Sequence, residues 1–228
     1  MQRQHLIFDA DDTLWENNIY FEQAFDDFCE YLSHSSMTPA EVRAVLDKIE
    51  AANVKLHGYG ARNFARNLKR CFVDLAEREI SERDYAAVEE LAHAILARPI
   101  ELIDGVKETI AALAARHELT IFTKGDHTEQ LAKIQRSGLV ERFQHTAIVR
   151  EKNAAAYREL AADRGFDCTR TWMIGNSPKS DVNPALEAGL SAVYVPHPRT
   201  WSLEKECLPE RHPRLLRVER ITDLMRYF

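Results

Sequence analysis

From Leu102 onward, short apolar runs alternate with stretches of helical periodicity: Leu119-Thr120-Ile121-Phe122, Thr146-Ala147-Ile148-Val149, Thr171-Trp172-Met173-Ile174 and Ala192-Val193-Tyr194-Val195. Leu6-Ile7-Phe8 near the N-terminus is a run of the same kind. Such runs are too short for helices and are closed by polar or turn-forming residues, so each reads as a strand buried on both faces. Helices are expected between them: from Asp104-Gly105 to near His117, from about Thr128 to Gly138, from Ala154 to Gly165, and through Ala185 and Leu186 to Gly189. Strands alternating with helices imply a parallel sheet with crossover helices on its faces. The tail adds one more expected strand, Leu215 to Val218, and a short helix. The expected fold is therefore α/β, a Rossmann-like parallel sheet core with helices on both faces.

One block breaks this pattern. Between about residues 17 and 97 the periodicity is helical throughout, which predicts a smaller, all-helical domain inserted after the first strand. Phe21, Ala24, Phe25, Phe28, Tyr31 and Leu32 form one apolar stripe at three- and four-residue spacing. Thr38-Pro39-Ala40-Glu41 combines an N-cap, a proline at the first helical position and the glutamate of a capping box, opening a helix expected to reach about Ala52. A third helix resumes near Ala61 after His57-Gly58-Tyr59-Gly60, and Ser81-Glu82-Arg83-Asp84 caps a fourth that stops by Arg98, before Pro99. The expected division is a core of residues 1–15 and 99–228 and a helical domain of residues 16–98.

Bulk properties narrow the function. The chain has 228 residues, 45% hydrophobic and 29% charged, with a net charge of −6. No basic footprint for nucleic acid or an anionic membrane is present, so a small-molecule partner is favoured. Cys29, Cys71, Cys168 and Cys207 include no Cys-x-x-Cys pair and are expected to be free thiols. With neither a signal-peptide pattern nor a membrane-length apolar window, a cytoplasmic location is expected.

The chemistry gathers where strands end. Asp9, Asp11 and Asp12 follow the first strand within four residues. Like charges about 4 Å apart cost roughly 4 kcal/mol at an effective dielectric near 20, so such a cluster suggests a cation between its members. Strand alternation would put Asp9 and Asp11 on one side and turn Asp12 away. Thr13 belongs to the same cluster; Thr123, Lys124 and Gly125 follow the second strand, Lys152 the third, and Asn176 and Asp181 the fourth. In an open parallel sheet, ligands bind at these carboxyl ends. Oxygen donors suit a hard cation such as Mg²⁺, and hydroxyl, backbone N–H and ammonium groups suit a phosphate.

Taken together, Asp9-Ala10-Asp11-Asp12-Thr13, Thr123, Lys152 and Gly175-Asn176-Ser177-Pro178-Lys179-Ser180-Asp181 resemble the four motifs of the haloacid dehalogenase-like hydrolase superfamily. The resemblance implies that Asp9 is a nucleophile forming an aspartyl-phosphate and that Asp11 protonates the leaving group and then activates water. Thr13 would orient these carboxylates, Thr123 would hold the phosphoryl group, and Lys152 would neutralise nucleophile and phosphate. Mg²⁺ would be held by Asp9, Asp11 through its backbone carbonyl, and the fourth motif through Asn176 and Asp181. The long stretch between Thr13 and Thr123, against the short one between Thr123 and Lys152, makes the helical block a cap inserted after the first motif. Arg62 and Asn63, beside the two glycines, are the nominated substrate-selecting residues, together with Lys124 and Gly125 in the core.

The implied activity is a Mg²⁺-dependent phosphatase acting on a small phosphorylated metabolite. A phosphomutase or a 2-haloacid dehalogenase on the same fold, or a weakly active binding or regulatory protein, are the alternatives. Relatives that cleave carbon–halogen bonds need no metal and use no acid/base aspartate at the place of Asp11. Asp12 stands where relatives commonly have glycine and is expected to serve as a turn or cap residue. Asn176 stands where many relatives have a metal-binding aspartate, which removes one negative charge.

Overall fold

In the computed structural model, which describes residues 2–228, the core is a six-stranded, wholly parallel sheet in the order β3-β2-β1-β4-β5-β6. The strands are β1 (His5–Phe8), β2 (Glu118–Lys124), β3 (His145–Val149), β4 (Thr171–Gly175), β5 (Ser191–Tyr194) and β6 (Leu215–Arg217). Each expected strand is present. β2 is longer than the apolar run predicts, because Thr123 and Lys124 stay hydrogen-bonded in register with Ile148 and Val149. From β1 the chain builds outward to β2 and β3 on one side and to β4, β5 and β6 on the other. The order therefore reverses between β1 and β4, where parallel-sheet folds open a ligand crevice. Phe8 pairs with Ile174 in register, and the Asp9 amide then donates to the Ile174 carbonyl at 2.9 Å.

The chain divides into two compact units, one running to Asn18 and resuming over Ile100–Phe228, the other Ile19–Pro99. Two apolar clusters sandwich the sheet of the first. Leu6, Phe8, Val106, Ile110, Ile121 and Ile174 lie in one, and Ile7, Phe122, Tyr157, Met173 and Ala192 in the other, as alternation along a doubly covered strand requires. Where the chain leaves and re-enters this unit, Trp15 pairs antiparallel with Leu102 and the Glu16 amide donates to the Glu101 carbonyl at 2.9 Å.

The second unit is built from α1 (Asn18–Leu32), α2 (Pro39–His57), α3 (Ala61–Leu75) and α4 (Glu82–Ala97), the first entering from Asn18. Thr38 and Ser81 both form complete capping boxes, with Glu41 and Asp84. α2 runs past Ala52 to His57 and ends when Gly58 takes φ 78°; Gly60 follows at φ 104°. Both values favour glycine, so the backbone path of the turn accounts for the two residues. The core here is aromatic: Phe28 is fully buried, and its ring lies 6.5 Å from that of Phe72 at 72°. Phe28→Ala is expected to cost about 3–5 kcal/mol of unfolding free energy, read from chemical denaturation.

The remaining helices belong to the sheet unit: α5 (Val106–Ala114), α6 (His127–Arg136), α7 (Ala154–Arg164) and α8 (Asn183–Glu187). A single π-turn, Pro178–Val182, precedes α8, and the expected tail helix is the 3₁₀ segment Ile221–Arg226. Among the described residues, no helix is long and apolar enough to cross a membrane.

Candidate active site

β1 ends at Phe8, so strand alternation does not extend to the acidic cluster, and Asp9, Asp11 and Asp12 each have their own surroundings. Asp9 is buried at the β1/β4 reversal. Lys152, from the segment after β3, donates to its Oδ1 at 2.5 Å, and Thr13 Oγ1 donates to its Oδ2 at 3.0 Å. The same Lys152 ammonium lies 2.8 Å from Asp181 Oδ1. Both carboxylates and the ammonium are withdrawn from solvent. Burial pushes Asp181 up to about 7, with the Asp9 charge adding to it and Lys152 opposing. Burial disfavours the Lys152 charge too, but Asp181 and Asp9 outweigh it and raise the ammonium's pKa.

Asn176 reaches this group from the end of β4. Its backbone N–H donates to Thr13 Oγ1 at 3.2 Å, and its Oδ1 lies 3.3 Å from the same hydroxyl. Its Nδ2 donates to Thr200 Oγ1 at 3.1 Å, whose own hydrogen goes to the His197 carbonyl. That fixes the amide with Oδ1 toward the Thr13 hydroxyl. A hydroxyl has one hydrogen, and the nearer acceptor for Thr13 is Asp9, so that hydrogen is not given to Asn176 Oδ1. Two buried carboxylates on a single ammonium, with an amide oxygen linked to one of them through Thr13, form an oxygen-rich, net negative donor set, which fits a hard divalent cation.

Asp181 is held from below by Gly175. A Cβ at that glycine would fall 2.2 Å from Asp181 Oδ2 and 2.7 Å from its Cβ, so this glycine is required by space alone. The Ser177 amide donates to the same Oδ2 at 2.9 Å.

Asp11 points to a different group. Its two oxygens accept from Lys133 Nζ, each at 2.6 Å, from Trp15 Nε1 at 2.8 Å and from Gln130 Nε2 at 2.9 Å. Burial acts to raise this carboxyl, but the Lys133 charge and the three side-chain donors hold it below the usual range. Asp12 adopts φ 59°, the left-handed region that suits glycine in this turn. Its Oδ1 accepts the backbone N–H groups of Asn17 and Asn18 at 2.9 and 3.0 Å. It is a turn and capping residue. Burial pushes its carboxyl up to about 7 against those two hydrogen bonds.

Thr123 is buried at the end of β2. Lys124 Nζ donates to Glu204 Oε1 at 2.6 Å and to Ser180 Oγ at 2.7 Å. Gly125 lies at φ 144°, where a Cβ would meet the Gln130 amide at 3.0 Å. In the helical unit, Arg62 is exposed on the first turn of α3, and Asn63 is buried with its Nδ2 donating to the Gly58 carbonyl at 2.6 Å. Thus Asp9, Thr13, Lys152, Asn176 and Asp181 share one network, Asp11 has a network of its own, and Asn63 secures the turn before its helix.

Sequence reasoning missed Glu204, Gln130 and Lys133. Glu204, in a short 3₁₀ turn of the tail, accepts from Ser177 Oγ at 2.6 Å and Ser180 Oγ at 2.5 Å as well as from Lys124. Burial would raise its carboxyl, but Lys124 and the two serines hold it low. It clamps the turn that carries Asp181. Also unforeseen is His197, whose Nε2 lies 3.4 Å from Glu16 Oε2 and whose Nδ1 lies 3.9 Å from Asp12 Oδ1.

A family model for haloacid dehalogenase-like hydrolases matches residues 4–189. A search of curated proteins returned no match. Among solved structures, a haloacid dehalogenase-like family hydrolase from Xanthomonas campestris is 31% identical, with a TM-score of 0.85 over 99% of this chain and 96% of that one. YfnB of Bacillus subtilis, a structure bound to magnesium, is 18% identical, with a TM-score of 0.71 over 100% and 99% of the two chains. A 2-haloacid dehalogenase from Pseudomonas syringae is 19% identical, with a TM-score of 0.63 over 99% and 97%. The last two are likenesses of fold.

Proposed function

The chain belongs to the haloacid dehalogenase-like hydrolases, and from that membership we propose that it is a Mg²⁺-dependent phosphatase of small phosphorylated metabolites, working through an aspartyl-phosphate. The feature that supports this over a dehalogenase is the carboxylate at Asp11, beside a pair of buried carboxylates, Asp9 and Asp181, that lie 2.5 and 2.8 Å from one ammonium. A carboxylate attacking a phosphate dianion faces repulsion that positive charge must relieve, and charge stabilisation with positioning is most of phosphoryl-transfer catalysis. Asp9, Asp181, Asn176 and the Asp11 backbone carbonyl would hold Mg²⁺, which when bound supplies the second positive charge and a polarised phosphoryl oxygen.

In this reading an Asp9 oxygen forms a bond to phosphorus as the bond to the ester oxygen breaks, and Asp11, which must first exchange its Lys133 contact for a proton, protonates the departing alkoxide. Water then attacks phosphorus, its proton passes to Asp11, and the bond to Asp9 breaks to release inorganic phosphate. Lys152 and Thr13 orient Asp9, and Thr123 receives the phosphoryl group. Lys124 and Gly125 shape the turn beside it. Arg62 would meet an anionic part of the substrate, on a turn that Asn63 holds in place.

The test is phosphate release from p-nitrophenyl phosphate and from a panel of phosphorylated metabolites, with Mg²⁺ and after chelation, beside chloride release from 2-chloropropionate. Metal-dependent phosphate release is expected. Chloride release without metal-dependent phosphate release would replace this reading with the dehalogenase. Asn176→Asp is expected to lower the Mg²⁺ concentration for half-maximal rate several-fold, since affinity follows ligand charge. It should also lower the metal-free melting temperature, by adding a third buried carboxylate. An unchanged metal dependence would put Asn176 outside the coordination sphere.

A further inference from the structure

An amide has two unlike ends: its oxygen can hold a cation, whereas its NH₂ offers hydrogens and repels one. At Asn176 the orientation of the amide is therefore decisive, and shape does not settle it, because half a turn about the last side-chain torsion exchanges two groups of nearly equal size. The hydrogen bonds do. At the oxygen end, Thr13 Oγ1 lies 3.3 Å from Oδ1, accepts the Asn176 backbone N–H at 3.2 Å and gives its hydrogen to Asp9 at 3.0 Å. Among the described residues Oδ1 has no other partner, so a buried acceptor is left without a hydrogen. At the nitrogen end, Nδ2 donates to Thr200 Oγ1 at 3.1 Å, and Thr200 sends its own hydrogen to the His197 carbonyl at 3.0 Å. A hydroxyl whose hydrogen is committed can only accept, so this neighbour suits an N–H and not a C=O. Thr200 is itself fixed. It is buried, its backbone N–H closes a turn onto the same His197 carbonyl at 3.2 Å, and the adjacent Arg199 carbonyl accepts from Asn18 Nδ2 at 2.8 Å. It stands 24 residues beyond Asn176 and in none of the four motifs.

On the metal-dependent reading, in which Asn176 Oδ1 is a ligand, we infer that Thr200 is a positioning residue that keeps the amide oxygen, and not the NH₂, available to the divalent cation. Thr200 touches neither cation nor phosphate in this role. Without its acceptor, the amide gains by turning Nδ2 to the Thr13 side, where it would meet a cation with hydrogens in place of lone pairs. The effect passes wholly through the amide, so it exists only while residue 176 has unlike ends. A carboxylate presents oxygen in either orientation, which makes Asn176→Asp the control background.

The experiment measures Mg²⁺ and Mn²⁺ binding by isothermal titration calorimetry, without substrate, in the wild type, Thr200→Val, Thr200→Ala, Thr200→Ser, Asn176→Asp and the Thr200→Val/Asn176→Asp double variant, each with its metal-free melting temperature. Thr200→Val keeps the shape and removes the acceptor, and is expected to weaken metal binding by about 10-fold, the usual cost of losing a group that orients a ligand. Thr200→Ala removes the acceptor without adding a methyl and should match it. Thr200→Ser keeps the hydroxyl and should bind metal within about three-fold of the wild type. In the Asn176→Asp background, Thr200→Val should change affinity by no more than about three-fold, because the two changes act on one device. Equal losses in both backgrounds, or a Thr200→Ser protein as weak as Thr200→Val, would overturn the inference. If Asn176→Asp tightens binding while Thr200→Val and Thr200→Ala bind as the wild type does, the metal site stands and the inference fails alone. A wild type that binds neither cation, and in which Asn176→Asp changes nothing, defeats both.

Discussion

Asp9→Asn is expected to lower phosphate release by about 10⁴-fold or more, because it removes the atom that bonds to phosphorus. Acid-quenched wild type incubated with labelled substrate should carry a phosphoryl group, and the variant none. The thermal consequence runs the other way. Asp9 and Asp181 crowd one buried ammonium, at 2.5 and 2.8 Å, and Asp9 contributes to raising the Asp181 carboxyl. Neutralising Asp9 leaves a balanced Lys152–Asp181 pair, so the metal-free melting temperature of Asp9→Asn should equal or exceed that of the wild type. An inactive variant that is also markedly less stable would show that Asp9 has a scaffolding role, and a labelled variant would exclude it as nucleophile.

Gly175→Ala is the second large effect. The added methyl would meet Asp181 Oδ2 at 2.2 Å and Cγ at 2.4 Å, in a short side chain already pinned by Lys152 and the Ser177 amide. Asp181 must shift, breaking its 2.8 Å contact with Lys152 and its 2.9 Å bond from the Ser177 amide. Overpacking together with disruption of a buried ion pair is expected to cost about 3 kcal/mol of unfolding free energy. Phosphatase activity should fall by about 10²-fold or more, since misplacing a positioned group by about 1 Å has that consequence. Denaturant titration and a Mg²⁺ titration of the rate check both. Wild-type metal dependence in this variant would remove Asp181 from the proposed ligand set.

Much of the fold was legible because local periodicity carries it. The quartets at 119–122, 146–149, 171–174 and 192–195 all lie within or overlap strands, and the caps at Thr38 and Ser81 form as capping boxes. Boundaries were less legible where tertiary pairing prolongs an element. Lys124 reads as the start of a turn, yet its backbone pairs with Val149 and keeps it in β2. α2 runs to His57 since nothing before Gly58 breaks it.

At the site, residue types and strand-end positions were readable, but the direction of each side chain was not. Asp9, Asp11 and Asp12 look alike in sequence and differ only in what surrounds them: Lys152 and Thr13, Lys133 with Gln130, and two backbone amides. Glu204, in the tail, carried no signal at all, since a lone glutamate near a turn is commonplace until the fold sets it against Ser177, Ser180 and Lys124.

By itself, then, the sequence determined the parallel α/β core, the helical insert and the family, because those follow from short-range spacing and from motifs a few residues long. Only the tertiary structure decided which cation answers which carboxylate. Lys133 stands 122 residues from Asp11, and Lys152 stands 143 from Asp9. Both pairings depend on the strand order around β1 and on the backbone leaving its strand at Phe8, which no local pattern encodes.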